Sequence, residues 1–157
     1  MINSKTLSLC MVVDRYNDQI QKAIDSTKPI RDELVIVQQG DVSKELVDQT
    51  DVYSNTTLKG NGDFDRQFCY SLASSEYILA LDSDEYFDAQ QLILLQALVK
   101  LDPDVVWFTF NNVVKYENLS INLHDMLGDD PHPRFWKKLI QKNGQAIPTL
   151  IWPYEAH

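Results

Sequence analysis

Short apolar runs alternate with helical patterns along the first two-thirds of the chain, and this alternation limits the folds that the sequence can adopt. The strongest runs occupy residues 6–13, 33–37, 77–81 and 105–110, and a brief one occupies 51–54. They are nearly continuous in apolar residues, which is typical of strands buried on both faces of a sheet. Because helical patterns separate them, we predict an α/β fold with a mainly parallel sheet flanked by helices.

Helical patterns fill the segments between these strands. We predict helices at 18–26 and 43–47, one that follows the turn signal at 61–63 and ends near Ser74, and one at 89–101 capped by Asp88. The pattern loosens after Asn112, where 123–134 indicate a long polar loop and 135–140 a further strand. Trp107 lies inside an apolar run, and we expect it in the core.

The length, charge and cysteine content exclude several classes of protein. A chain of 157 residues is enough for one domain with a sizeable core. The net charge of −9 argues against nucleic acid as a partner, because phosphate backbones bind stripes of Lys and Arg. Cys10 and Cys69 lie in apolar or helical patterns and are expected in the core. The sequence shows neither a signal-peptide pattern nor an apolar stretch of membrane-spanning length, so we expect a cytoplasmic location.

Three carboxylates in four positions, Asp82-Ser83-Asp84-Glu85, follow the apolar run at 77–81. Such close like charges repel one another, and hard cations such as Mg²⁺ and Mn²⁺ bind carboxylate oxygens and share them with phosphate oxygens. The cluster therefore indicates either a metal site for a phosphorylated substrate or a solvated acidic turn. Ligands of parallel sheets bind beyond the carboxyl ends of the strands, where the polar residues 14–15 and 38–40 are also predicted to lie.

Five segments in order, spread over nearly the whole chain, resemble motifs of family 2 glycosyltransferases with the GT-A fold. They are an opening strand and turn at 10–17, a second strand and turn at 33–41, a helix start at 64–67, a strand ending in an Asp-x-Asp metal motif at 77–85, and an Arg-Leu-Phe-Arg-like segment at 133–137 with a closing His157. The resemblance implies one GT-A (Rossmann-like) domain over 1–157, with 1–111 binding the nucleotide-sugar and 112–157 forming the acceptor and catalytic segment.

The resemblance implies a nucleoside-diphosphate sugar as donor, with a UDP-sugar expected first, and a hydroxyl acceptor on a glycan, lipid or protein. Tyr16 would lie against the nucleotide base with Arg15 beside it, and Arg66 would contact the base or the diphosphate. Gln38 stands where the family usually has an Asp that binds the base and ribose. Because a Gln can still hydrogen-bond an amide edge, the identity of the base stays open.

A Mn²⁺ or Mg²⁺ cofactor is also implied by the resemblance. Asp82 would bind the ribose or the metal, Asp84 would ligate the metal, and His157 would be a further ligand. In the family the cation bridges the two phosphates and neutralises the charge on the departing diphosphate.

An inverting transfer, which the family implies, needs a carboxylate that takes the proton of the acceptor hydroxyl. We favour Asp130, in the predicted loop before Pro131, as this base, and a simple turn role is the alternative for it. The other carboxylates downstream of the acidic cluster are Glu117, Asp125, Asp129 and Glu155.

Other functions compete with the transferase. A phosphatase of the haloacid dehalogenase type also needs an apolar strand ending in Asp-x-Asp, but it prefers Thr or Val where this chain has Glu85. A relative that binds a nucleotide or glycan without catalysis is consistent with Gln38 and the short chain. A calcium loop starting at Asp82 fails, because Phe87 and Ile93 stand where Gly and Glu are needed.

Overall fold

The computed structural model describes residues 1–56, 62–109, 113–116, 119–122 and 132–148. Four helices lie in these parts of the chain: α1 Asp18–Ser26, α2 Lys44–Gln49, α3 Gly62–Leu72 and α4 Ala89–Val99. Ten strands lie there as well: β1 Leu7–Val13, β2 Glu33–Gln39, β3 Val52–Thr56, β4 Tyr77–Ala80, β5 Val105–Phe108, β6 Val113–Tyr116, β7 Leu119–Asn122, β8 His132–Lys137, β9 Leu139–Lys142 and β10 Gln145–Pro148.

A six-stranded, mostly parallel sheet with the strand order β3-β2-β1-β4-β8-β5 forms the centre of the fold. Strands β3, β2, β1 and β4 run parallel, whereas β8 is antiparallel to both of its neighbours, β4 and β5. The pairs β6–β7 and β9–β10 form separate two-stranded antiparallel sheets. This architecture confirms the predicted α/β fold.

The two faces of the sheet carry two separate apolar clusters, because side chains alternate along each strand. In β1, Leu9 and Met11 point into one cluster, to which α1, α2 and α4 contribute, while Cys10 points into the other. The second cluster contains Cys69 of α3 and Trp136 of β8. Helices therefore cover both faces, as the continuous apolar strands predict, and both cysteines are buried free thiols.

The structure confirms several predicted local features. Helix α1 has the predicted bounds, and Asn17 caps it by accepting a hydrogen bond from the amide of Ile20. Asp88 caps α4 in a reciprocal capping box with Gln91.

No helix in the described parts of the chain is long and apolar enough to cross a bilayer.

The predictions for the later strands are partly wrong. The strand predicted at 135–140 is two strands, because β8 begins at His132 and ends at Lys137, and β9 follows after Lys138. Residues 132–134, predicted as loop, thus belong to the sheet. Residues 123–131 of the predicted loop and Phe110, the predicted last residue of a strand, lie outside the described residues.

Trp107 is 60% exposed and does not lie in the core, contrary to the sequence prediction. In its strand, β5 at the edge of the sheet, Val106 and Phe108 pack with one apolar cluster and Val105 with the other, while Trp107 faces solvent. Val106 takes the inward position and is buried. Trp136, in contrast, is 3% exposed and packs edge-on against Tyr70 with ring centroids 4.9 Å apart.

The two tryptophans give a matched test of this packing. We expect Trp136→Ala to lower the free energy of unfolding by about 3–5 kcal/mol, because it empties a filled part of the core. Trp107→Ala should change it by only about 0.5 kcal/mol, as for a surface residue. Chemical denaturation followed by circular dichroism measures both values, and equal losses in the two variants would contradict the edge position of β5.

Candidate functional site

Several polar residues that the sequence places after strands lie beyond the carboxyl ends of the parallel strands. This end of the sheet is called here its carboxyl edge, as distinct from the edge strands β3 and β5. Because β1, β2 and β4 are parallel neighbours, their carboxyl ends reach this common edge. Arg15 and Tyr16 follow β1, and residues 82–85, called here the acidic turn, follow β4. The sheet topology thus brings these polar residues to one end of the sheet, as the alternation of strands and helices predicts.

The acidic turn is closed by two hydrogen bonds between its ends. The amide of Glu85 donates to the carbonyl oxygen of Asp82 over 3.1 Å, and the amide of Asp82 donates to Oε2 of Glu85 over 2.8 Å. The amide of Leu81, just before the turn, donates to the carbonyl oxygen of Cys10 in β1. The turn is therefore fixed to the centre of the sheet, with Asp82 and Glu85 held close together.

Two guanidinium groups bind the carboxylates of this turn. Nη2 of Arg134 lies 3.1 Å from Oδ2 of Asp82 and 3.1 Å from Oε1 of Glu85. Nη2 of Arg66, on α3, lies 3.4 Å from Oδ1 of Asp82. The side chain of Arg134 is only 9% exposed, whereas those of Arg66 and Asp82 are each 40% exposed. Both carboxylate oxygens of Asp82 thus face a cation of the protein itself.

Burial raises the pKa of Glu85 above its ordinary value, and this effect is larger than the opposing attraction of Arg134. The neighbouring charge of Asp82 raises this pKa further, while the hydrogen bonds to the turn and to Arg134 lower it. Two of the three carboxyl groups of the acidic turn therefore lie in different environments, since Asp82 is more exposed than Glu85.

Asp84 is the exposed carboxylate of the turn. Within the described parts of the chain, no group of three or more side chains is arranged to hold a metal ion. Mg²⁺ commonly uses one or two protein carboxylates and takes its other oxygens from water and substrate phosphates. Among the described residues, Asp84, with Asp82 two residues before it, could supply the protein carboxylates of such a shared site for Mg²⁺ or Mn²⁺.

Arg15 and Tyr16 lie where β1 leads into α1. Arg15 is exposed, and Tyr16 is half-buried against the apolar cluster of the α1 face. The hydroxyl of Tyr16 donates to Oε1 of Gln21 over 3.0 Å, which fixes its ring against α1. These two residues are at the edge where a ligand of the acidic turn would extend toward β1.

The side chain of Gln38 points into the protein rather than toward the space where a ligand would lie. Its side chain is fully buried. Its Nε2 donates to the carbonyl oxygen of Asp14 over 3.1 Å and to Oγ of Ser43 over 2.9 Å. Its Oε1 accepts from the amide of Ser43 over 3.0 Å and from the hydroxyl of Tyr53 over 2.6 Å. All four hydrogen-bonding positions of the amide are therefore used inside the protein.

Two local features lie next to Gln38. Ser43 occupies the N-cap position of α2, but its side chain makes no capping hydrogen bond, and its hydroxyl accepts from Gln38. The turn after β2 needs Gly40, which has a φ of +94°. A Cβ at Gly40 would lie 3.2 Å from Oδ1 of Asp14. Gln38 itself connects Asp14 after β1, Ser43 before α2 and Tyr53 of β3 rather than presenting its amide to solvent.

Two residues of this region, Arg134 and Asp65, are not among the predicted site residues. Arg134 lies within the segment that resembles the family's Arg-Leu-Phe-Arg motif, and this likeness is the sequence feature that could have identified it. Asp65 is buried beside Arg66 and accepts a hydrogen bond from Nε2 of Gln39 over 2.5 Å. Its burial has no signal in the sequence, because acidic residues in the first turn of a helix are usually exposed.

The remaining predicted site residues lie outside the described parts of the chain. They are Asp130, the candidate base, and His157, the candidate additional metal ligand. The structure therefore brings together Asp82 and Arg66, places Asp84, Arg15 and Tyr16 at the same edge of the sheet, and turns Gln38 inward.

No family model matches the chain, and no curated protein matches it. Among solved structures, it is similar to residues 1–349 of S. aureus TarS in complex with UDP, with 19% identity over 64% of this chain and 34% of that one, and a TM-score of 0.47. A longer S. aureus TarS structure matches with 21% identity over 64% of this chain and 20% of that one, and a TM-score of 0.46. The bifunctional IspDF of Campylobacter jejuni matches with 14% identity over 84% of this chain and 41% of that one, and a TM-score of 0.45. The matched parts are thus less than half of each of these longer chains.

The buried amide of Gln38 can be tested by its effect on stability. We expect Gln38→Met, which keeps the length of the side chain, to lower the free energy of unfolding by at least about 2 kcal/mol, because its buried partners lose their hydrogen bonds. Gln141→Met, at an exposed position of β9, is the matched control and should change it by about 0.5 kcal/mol. Urea denaturation measures both, and a stable Gln38→Met variant would contradict the network.

Proposed function

We propose that this chain is a glycosyltransferase related to the GT-A family 2 enzymes, which transfers a sugar from a nucleoside-diphosphate sugar, a UDP-sugar first, to a hydroxyl acceptor. The observation that carries the proposal is the meeting of Arg66 and Arg134 on Asp82, next to the exposed Asp84, at the carboxyl edge of a parallel sheet. The partly exposed guanidinium of Arg66 and a carboxylate that can share a cation with phosphate are the chemistry that a diphosphate needs.

In this proposal the donor lies along the edge of the sheet from β1 to the acidic turn. The partly exposed Arg66 binds the diphosphate, and the ring of Tyr16 lies against the nucleotide base with Arg15 beside it. The protein carries a net charge of −9, so local positive charge is needed to attract an anionic donor. Arg15 and Arg66 supply this charge at the edge.

A Mn²⁺ or Mg²⁺ ion is part of the proposal. Asp84 would hold it directly, Asp82 would contact the ion or the ribose, and His157 would be a further ligand. The ion would supply positive charge to the departing diphosphate. Arg66 acts in the same direction, because it stabilises negative charge that develops on the leaving group.

The acceptor side of the proposal rests on residues 112–157. We propose that Asp130 takes the proton of the acceptor hydroxyl, in a transfer that inverts the configuration at the sugar. Residues 1–111 would form the donor half of one domain. In this proposal the acceptor hydroxyl belongs to a glycan, lipid or protein, and the protein acts in the cytoplasm.

The structure offers one observation for a second function and one against a third. The inward position of Gln38 favours a relative without catalysis that binds a nucleotide or glycan, since the side chain at the position of the family's donor-binding Asp is buried here. A phosphatase of the haloacid dehalogenase type would use Asp82 as its nucleophile. Both oxygens of Asp82 face guanidinium groups, which lowers their nucleophilicity and disfavours that reaction.

The role of Asp84 is tested by ligand-dependent stability. UDP at about 100 times its Kd should stabilise the protein by about 2.7 kcal/mol, and we expect this gain only when Mn²⁺ is present. Asp84→Ala should lose the Mn²⁺-dependent part, because the ion loses its exposed ligand. Asp48→Ala, at an exposed position of α2, is the control and should behave as the wild type. Thermal shift measurements with and without Mn²⁺ give these values.

Product analysis separates the three functions. Release of free sugar from a UDP-sugar in the presence of Mn²⁺, abolished in Asp84→Ala, would support the transferase. Binding of UDP without turnover of any UDP-sugar would favour the binding protein. Cleavage of a phosphomonoester such as p-nitrophenyl phosphate, with no response to UDP, would replace the transferase by the phosphatase.

A further inference from the structure

The acidic turn contains a position where two carboxylate oxygens converge on one cationic atom. Oδ2 of Asp82 and Oε1 of Glu85 both lie 3.1 Å from Nη2 of Arg134. Two oxygens that converge on a single point in this way would also face a metal ion placed there. Divalent cations bind such oxygens at about 2.0–2.6 Å, so only a small contraction would be needed.

Arg134 reaches this position from a distant part of the chain. Strand β8 runs antiparallel beside β4, with Phe135 paired to Leu79. Arg134 precedes Phe135 and therefore lies at the end of β4 from which the acidic turn begins. Phe135 is fully buried and stacks on Tyr77 with ring centroids 4.6 Å apart, which holds this part of β8 in place.

Burial keeps the guanidinium of Arg134 bound to the carboxylates of the turn. Its side chain is 9% exposed and that of Glu85 is 14% exposed, so neither charge can be left without a partner at low cost. The two groups compensate each other, and Asp82 adds a second carboxylate to the same cation. Arg66 is more exposed and contacts the other oxygen of Asp82, so it is the guanidinium that can change partners.

We propose that Arg134 is a positioning residue that occupies the place of a cation in the acidic turn. It keeps a cation out of the position between Oδ2 of Asp82 and Oε1 of Glu85, and it leaves the exposed Asp84 as the direct ligand. A divalent cation then binds weakly to the protein alone, and tightly only when a diphosphate contributes oxygens. The inference rests on the proposed function, since it assigns the order in which that site takes up its metal and its nucleotide.

The test measures Mn²⁺ binding in the absence of nucleotide, by the electron paramagnetic resonance signal of free Mn²⁺. We expect weak binding to the wild type and binding at least about tenfold tighter to Arg134→Gln, because a nearby positive charge is lost and one oxygen each of Asp82 and Glu85 loses its contact with Arg134. Arg134→Lys should bind as weakly as the wild type, since an ammonium group keeps the charge. Lys44→Gln makes the same change in net charge on exposed α2 and should have no effect.

The opposite results would overturn the inference. Unchanged or weaker Mn²⁺ binding to a folded Arg134→Gln variant would mean that Arg134 does not occupy a cation position. Should Arg134→Gln fail to fold, Glu85→Gln gives an independent test in the presence of Arg134. We expect its Mn²⁺ affinity to fall by less than about tenfold, because Glu85 contributes its charge but no ligand oxygen. A loss of tenfold or more would make Glu85 a direct ligand and overturn the inference.

The measurement also separates this inference from the proposed function. The expected order of Mn²⁺ affinities needs neither a nucleotide nor turnover, so it can hold even if UDP does not bind. If UDP with Mn²⁺ stabilises the wild type but Arg134→Gln binds Mn²⁺ no more tightly, the transferase proposal stands and the role of Arg134 is wrong.

Discussion

The interaction on which the site depends is the contact of one buried guanidinium with two carboxylates of a single turn. Asp82 and Glu85 repel each other, and Glu85 is nearly buried, so the turn would be costly without an opposite charge. Arg134 supplies that charge and is itself held by the packing of Phe135 in the core. The geometry of the proposed site is therefore tied to the hydrophobic packing of β8 against β4.

A second buried polar group connects the carboxyl edge to the rest of the sheet. Gln38 binds the end of β1 through Asp14, the start of α2 through Ser43, and β3 through Tyr53. A buried amide whose hydrogen bonds are all satisfied specifies one arrangement of these elements, whereas a half-satisfied amide would destabilise them. The residues that stabilise this edge are thus different from those that we propose to bind a ligand there.

Most of the fold could be predicted from the sequence, because its main elements are set by local patterns. The apolar runs that become β1, β2 and β4 and the capping residue Asp88 of α4 are visible in short windows. The acidic turn and its place at the end of β4 were also predictable. The inward position of Gln38 was not, because whether a polar side chain at a strand end faces solvent depends on residues such as Ser43 and Tyr53 from other elements.

The sequence by itself determined the α/β class, the order of the helices and strands up to β5, and the position of three carboxylates after a buried strand. Only the tertiary structure decided that β8 lies antiparallel between β4 and β5, because strand pairing over more than fifty residues depends on packing across the whole sheet. That pairing brings Arg134 to Asp82 and Glu85, and it leaves Trp107 on an edge strand. The sequence thus set the charges of the site, and the pairing of distant strands decided which of them neutralise one another.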